Sequence, residues 1–255
     1  MSMYLLFDVG NTRLKWAVVE SQQNPIDRNK KLWLYSGAID TQLLLSPEHC
    51  AELAHYILQT IPKPDAIGIC CVAAEECATN LKQLFAQWQD VAWFSLRGNS
   101  PVDCLRSRYT QPEQLGADRW AGLIAGRTLS SGNSLIVNAG TATTIDFLGA
   151  NGIHHGGWII PGFRLQQQAV IGHTAKVFNN SMQHAQLTLG TDTSSCLQNG
   201  CLSAAVAVIL QAFQLQSTSK VILTGGDADL LLSHLTELNP EVEPLLIFRG
   251  LSLYI

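Results

Sequence analysis

The 255-residue sequence is short of charge: Asp, Glu, Lys and Arg make up only 14% of it, and the formal net charge is −4. That balance gives no global electrostatic reason to expect nucleic acid or an anionic membrane as partner. Runs of like charge and low-complexity segments are absent, and 47% hydrophobic content is that of a globular chain. Long apolar runs are also missing. The longest, Ala204 to Leu210, is far too short to span a bilayer. A basic N-terminal region with a cleavage site is lacking, which argues against a secretory signal. No C-x-x-C pair or H-E-x-x-H motif occurs, so no structural zinc is expected. There is no G-x-x-x-x-G-K-[ST], and no G-x-G-x-x-G follows a strand, which disfavours the P-loop and Rossmann readings. Seven cysteines, an odd number with Cys70 and Cys71 adjacent, read as reduced thiols in the cytoplasm, packed as small hydrophobes.

What the chain does have is a repeated grammar. In YLLFDVGNT, residues 4–12, an apolar run ends in Asp8 and breaks into a turn of small residues. LIVNAGTATT, residues 135–144, repeats it with Asn138 at the strand tip. Gly10 and Gly140 allow a ligand close to the backbone, and the hydroxyls of Thr12 and Thr141 suit phosphate oxygens. A lone D-x-G-N-T is often only a hairpin turn. Two such turns at matching offsets suggest a nucleotide held between two related halves.

Each turn is followed by a returning strand, at 14–20 and 143–148, giving two hairpins. WLYSGAI at 33–39 reads as a third strand. A helix over Pro47 to Thr60 is expected from Ser46 as N-cap, Pro47 at the first position, and Leu53, Tyr56, Ile57 and Ile61 at helical spacing. Further strands are expected at 66–73, 91–95, 158–160 and 221–225, and helices over 75–89, 163–172, 196–214 and 227–237. Hairpins followed by alternating helix and strand imply an α/β fold with mixed sheets flanked by helices. The polar stretch with two prolines inside 96–118 is the expected domain boundary, dividing the chain into 1–115 and 116–255.

Between the halves, LGADRW at 115–120 sets Asp118 and Arg119 at the start of a helix. They could be dipole compensation with a surface ion pair. They could equally be a general base and a clamp for an anionic substrate group, since a carboxylate accepting a proton from an attacking hydroxyl needs no unusual pKa.

The sequence resembles the type III pantothenate kinases of the acetate and sugar kinase, Hsp70 and actin superfamily. The likeness covers nearly the whole chain and rests on six motifs in order: DVGNTRLKW at 8–16, LGADRW at 115–120, NAGTATTID at 138–146, HHGGWIIPG at 154–162, LGTDT at 189–193 and LTGGDA at 223–228. It implies duplicated actin-like (ribonuclease H-like) domains, the first phosphate motif in 1–115 and the second phosphate and adenosine motifs in 116–255, with a nucleotide cleft between them. It implies ATP-dependent phosphorylation of pantothenate to 4′-phosphopantothenate, the first step of coenzyme A synthesis. By position, Asp8, Val9, Gly10, Asn11, Thr12, Arg13, Leu14, Lys15 and Thr141 would bind ATP, with Asp8 organising Mg²⁺ at the phosphates. Tyr109, Gly116, Ala117, Asp118, Arg119 and Thr193 would bind pantothenate, with Asp118 taking the proton from its hydroxyl. The resemblance also implies a cytoplasmic homodimer that uses neither nucleic acid nor membrane.

One position departs from the family pattern. Asn138 stands where the second phosphate motif usually opens with an aspartate that helps bind K⁺ or NH₄⁺. An amide keeps an oxygen ligand but loses the charge, so weak or absent K⁺ dependence is expected unless Asp146 compensates. Two other classes remain in view: a related hydroxyl kinase or phosphatase, and a non-catalytic nucleotide-binding regulator. The intact G-A-D-R element weighs against the former. The retained Asp118, with no basic patch or DNA-binding helix pair, weighs against the latter. His154 and His155 are expected to point to opposite faces of a strand rather than share a metal, and His173 and His184 to be solvated. Trp16, Trp33, Trp93 and Trp120 read as core. The helix bearing Leu202, Val206, Ile209, Leu210 and Phe213 reads as either core or a dimer surface.

Overall fold

The structure is a computed structural model that describes residues 2–21, 33–174, 176–177, 185–215 and 217–255. In chain order its elements are β1 (Ser2–Val9), β2 (Arg13–Ser21), β3 (Trp33–Asp40), α1 (Pro47–Thr60), β4 (Ala66–Cys71), α2 (Glu75–Leu84), β5 (Ala92–Leu96), β6 (Arg106–Ser107), α3 (Ala117–Leu129), β7 (Ser134–Ala139), β8 (Ala142–Leu148), β9 (Ile153–Pro161), α4 (Phe163–His173), α5 (Thr193–Leu215), β10 (Lys220–Thr224), α6 (Ala228–Leu232), β11 (Glu241–Val242) and α7 (Leu246–Tyr254). The strands form a five-stranded sheet, β3-β2-β1-β4-β5, and a six-stranded sheet, β11-β10-β7-β8-β9-β6. Both sheets are mixed: each contains an antiparallel hairpin, and β4 joins β1, and β10 joins β7, in parallel.

The chain packs as two units. One comprises Met1–Leu105, Tyr109–Leu129 and Leu246–Ile255, the other Arg106–Arg108 and Ser130–Leu245. The expected division into 1–115 and 116–255 follows chain order, but the contacts do not. Helices α3 and α7 pack on each other and on β4 of the first sheet, because their apolar faces complete that sheet's second layer.

Alternation along β1 organises the first unit. Leu5, Phe7 and Val9 join one apolar cluster with Leu53 and Ile57 of α1 and Leu81 of α2. Leu6 and Asp8 therefore project from the other face, where α7 packs against β1 and β4. Gly68, paired with Leu6, leaves room for Leu251 and Ile255 there. Gly250 lets α7 meet α3 closely, since a Cβ at that position would overlap the carbonyl of Ala121. In the second unit, Leu135, Val137, Ile145 and Phe147 form the core with Leu202, Val206 and Ile209 of α5. Leu210 and Phe213 pack against this cluster, half-buried, so this stripe of α5 is core. At 23 residues, α5 is long and apolar enough to cross a membrane by length and composition alone. Its burial against the second sheet identifies it as a core helix.

Several local expectations change. Tyr56 is exposed while Leu53, Ile57 and Ile61 are buried; it sits one residue off the buried stripe. The hydroxyl of Ser46 bonds Nδ1 of His49 and makes no cap bond to the helix amides. The helices expected over 75–89 and 227–237 each shorten, with a 3₁₀ turn at Ala86–Trp88 and at Thr236–Leu238. Trp16 and Trp120 are buried, whereas Trp33 and Trp93 are half-buried. His173 is exposed, and His184 lies outside the described residues. All seven cysteines are free thiols.

Candidate active site

The first unit brings two sequence motifs together. Antiparallel register pairs Asp8 with Lys15 across the β1–β2 hairpin, and parallel register pairs Asp8 with Cys70 of β4. The turn between the strands is closed by the amide of Gly10 donating to the carbonyl of Arg13 at 3.0 Å. Thr41 clasps it from outside, its hydroxyl donating to Gly10 O at 2.7 Å and its amide to Thr12 O at 3.0 Å. Val9 and Leu14 are buried, Gly10 and Lys15 half-buried, and Asn11, Thr12 and Arg13 exposed. The turn thus offers polar groups outward from an apolar base.

Helix α3 starts on the face from which Asp8 projects. Oδ1 of Asp118 accepts from the Arg119 amide at 2.8 Å, a carboxylate in the first turn where the helix dipole favours it. Arg119 is buried; its Nη1 donates to the hydroxyl of Tyr109 at 2.7 Å, and its guanidinium lies 5.7 Å from the centre of the Tyr109 ring. Gly116 is small because a Cβ there would sit 2.6 Å from Oδ1 of Asp118. Ala117 is buried and Asp118 half-buried.

The two carboxylates lie within electrostatic reach of each other. Burial pushes the Asp8 carboxyl up to about 6; Lys15 pulls it down and the charge of Asp118 pushes it up. The Cys70 thiol is driven well above its ordinary range by burial first, then by Asp8 and Asp118. Two carboxylates within electrostatic reach of each other, one of them desolvated, suit a hard divalent cation with oxygen ligands. Among the described residues no cluster of three or more His, Cys, Asp or Glu could hold a metal ion without further ligands.

The second unit holds the other motifs. Asn138 is the penultimate residue of β7, and the turn through Gly140 and exposed Thr141 is closed by Gly140 N donating to Ala142 O at 3.1 Å. Two glycine turns abut it. Gly162 N donates to Thr141 O at 2.9 Å, and a Cβ on Gly162 would overlap the Gly140 carbonyl. Gly225, at φ +99°, packs on the Ala139 backbone, while Asp227 N donates to Ala139 O at 3.0 Å. Burial raises the Asp227 carboxyl, and Arg164 opposes that rise. Thr193 opens α5 and lines a cavity of about 570 Å³ with Val170, Gly190, Thr191 and Cys196. Asp192 beside it is held low by the amide and hydroxyl of Ser195. Thr141 and Thr193 thus belong to the second unit, and Asp8, Tyr109 and the Gly116–Arg119 segment to the first.

Sequence reasoning missed one arrangement. Nε2 of His154 lies 2.8 Å from Oδ1 of Asp146, and its Nδ1 lies 2.9 Å from Oγ of Ser107. His154 is fully buried and Asp146 nearly so. The H-x-G-G motif marked the histidine, but nothing local to 107, 146 or 154 shows that three strands bring them together. The same bond bears on Asn138. Oδ1 of Asp146, the carboxylate the sequence offered as a stand-in for the charge missing at Asn138, is bonded to His154.

The fold has known counterparts. A conserved Baf family protein from Campylobacter jejuni superposes with a TM-score of 0.62 at 22% identity, over 98% of this chain and 96% of that one. The ethanolamine utilization protein EutJ from Carboxydothermus hydrogenoformans gives 0.58 at 12% identity, over 100% and 90%. A polyphosphate/ATP-glucomannokinase from an Arthrobacter strain gives 0.50 at 14%, over 100% and 97%. The fold shared with them is one of mixed sheets flanked by helices. Sequence narrows the class further. The profile of the type III pantothenate kinases matches residues 4–214. The type III pantothenate kinases of Burkholderia cenocepacia (strain HI2424) and Colwellia psychrerythraea are each 32% identical to it, over 98% and 99% of this chain and 94% and 100% of theirs. The chain belongs to the type III pantothenate kinase family.

Proposed function

We propose that the protein transfers the γ-phosphoryl group of ATP to the primary hydroxyl of pantothenate, forming 4′-phosphopantothenate in the first step of coenzyme A synthesis. The observation that carries the reading is the convergence of Asp8, Lys15 and Asp118 in one unit, with Arg119 held beside them by Tyr109. Phosphoryl transfer needs in-line positioning and neutralised phosphate oxygens more than covalent help. The Gly10–Thr12 turn offers backbone and hydroxyl groups to the phosphates, and Lys15 adds positive charge. Asp118 accepts the proton of the attacking hydroxyl, while Arg119 and Tyr109 grip the anionic end of pantothenate. Mg²⁺, when bound with the nucleotide beside Asp8, supplies charge neutralisation at the phosphates.

Thr141 serves the phosphates from the second unit, and Thr193 is a further pantothenate contact. Each unit corresponds to one actin-like domain. Cation activation by K⁺ or NH₄⁺ is weak or absent, because Asn138 is uncharged and Asp146 is engaged by His154. The enzyme acts in the cytoplasm as a homodimer. Exposed Trp158, Ile159, Leu165 and Leu189 supply apolar surface of the kind that subunit contacts cover. Light scattering on the purified protein tests the dimer.

Pantothenate-dependent ADP release, measured with Mg²⁺ and abundant ATP, tests the reaction. Turnover that requires pantothenate supports it. A folded protein that releases no ADP with pantothenate overturns it.

A further inference from the structure

Within the second unit, packing demands glycine at two of the positions that abut the end of β7. A Cβ on Gly162 would overlap the Gly140 carbonyl, and Gly225, at φ +99°, lies against the Ala139 backbone. Gly226 is different. It is exposed, its φ lies outside the left-handed region, and a Cβ there would meet nothing within 4 Å. Neither strain nor crowding calls for glycine, so the missing side chain keeps a ledge open on which a ligand can lie against the backbone.

Asp227 borders that ledge. Its amide donates to Ala139 O at 3.0 Å, which ties it to the turn that carries Thr141. Its carboxylate is half-buried and makes no cap bond to the five-residue helix α6, so the polar group on offer is the side chain and not the helix end. Arg164, in the first turn of α4, opposes the rise that burial imposes on this carboxyl and so favours its ionised form. An ionised carboxylate only accepts hydrogen bonds. Its complement is a neutral group with two neighbouring donors, and a vicinal diol is such a group, bound by strong charge-assisted bonds. An acidic side chain recognises ribose in this way in other nucleotide folds. The phosphate chain itself is excluded from the ledge, because the carboxylate repels it. We propose that Gly226 and Asp227 form a ribose subsite: the sugar lies on the ledge and its 2′- and 3′-hydroxyls donate to the Asp227 carboxylate, so that the protein selects ribonucleotides over 2′-deoxyribonucleotides. This rests on the reading of the Thr141 turn as a phosphate contact, since a nucleotide's ribose is bonded directly to its phosphates.

Calorimetry of ADP and 2′-deoxy-ADP binding to the full chain, with Asp227→Ala and Gly226→Val as variants, tests this without relying on turnover. Steady-state kinetics with pantothenate runs beside it. The parent is expected to bind ADP about tenfold more tightly than 2′-deoxy-ADP, as one hydrogen bond to a charged group implies. Asp227→Ala keeps the amide that bonds Ala139 and is expected to lose that preference, with KM for pantothenate unmoved. Gly226→Val is expected to weaken both nucleotides while its melting temperature stays near the parent's. Equal affinities for the two nucleotides in the parent, or a preference that survives in Asp227→Ala, overturns the proposal and leaves the proposed reaction intact. Parent affinities in Gly226→Val overturn it as well. A parent that prefers ADP but shows no pantothenate turnover supports the subsite and overturns the reaction. A folded parent that binds neither nucleotide overturns both.

Discussion

Nη1 of Arg119 donates to the hydroxyl of Tyr109 at 2.7 Å, and the guanidinium also lies 5.7 Å from the centre of the same ring. One side chain thus contacts the arginine in two ways, through a hydrogen bond and through the ring's π face. Tyr109→Phe removes only the first. It is expected to raise KM for pantothenate about tenfold, as loss of one hydrogen bond to a charged group implies, with kcat less affected. Equal KM values for parent and variant would show that the bond does not organise the pocket.

Asp118→Asn keeps the shape of the side chain and an oxygen to accept from the Arg119 amide, but removes the base. Its kcat should fall by about two orders of magnitude or more, while ADP affinity and melting temperature stay near the parent values. Turnover near the parent rate would remove Asp118 from that role.

The raised Asp8 carboxyl makes a pH prediction. Its unfolded value is near 3.8 and its folded value about 6. Between these the folded state binds more protons, so stability falls as pH rises from about 4 to 6. The ionised carboxylate then costs the metal-free protein on the order of 3 kcal/mol above pH 6. Asp8→Asn should therefore melt higher than the parent at pH 8, with the gap closing below pH 4, and should lose kinase activity. Parallel melting profiles across that range would contradict it.

Asn138→Asp introduces a carboxylate at the tip of β7. With Asp146 engaged by His154, the parent should respond little to K⁺ and the variant should gain K⁺ activation, measured as ADP release in K⁺ against Na⁺ buffers. Identical salt profiles for the two would mean that position 138 does not govern an ion site.

At Gly225, φ is +99° and a Cβ would overlap the carbonyl of Ala139. Gly225→Ala should destabilise the protein by about 2 kcal/mol or more and displace the turn beside Thr141, lowering ADP affinity. Denaturant unfolding and calorimetry of ADP binding check both effects.

Much of this protein is local and could be read from the chain. The hairpins at 2–21 and 134–148, the buried strand at 66–71 and the helix from Pro47 to Thr60 follow from apolar periodicity and from where glycine, proline and small polar residues interrupt it. The alternation that buries Phe7 and Val9 on one face also dictates that Asp8 leaves by the other. The six motifs, in order, named the family. Tertiary structure alone decided what contacts distant in sequence decide. It placed α3 and α7 on the first sheet, bringing Asp118 within electrostatic reach of Asp8. It exposed Tyr56, which helical spacing had assigned to the core. It joined Ser107, Asp146 and His154, three polar residues whose strands are neighbours only because a sheet edge is completed by a two-residue strand. Periodicity reports which face of an element is apolar; what that face meets is settled by packing, where nearly every buried polar group finds a partner.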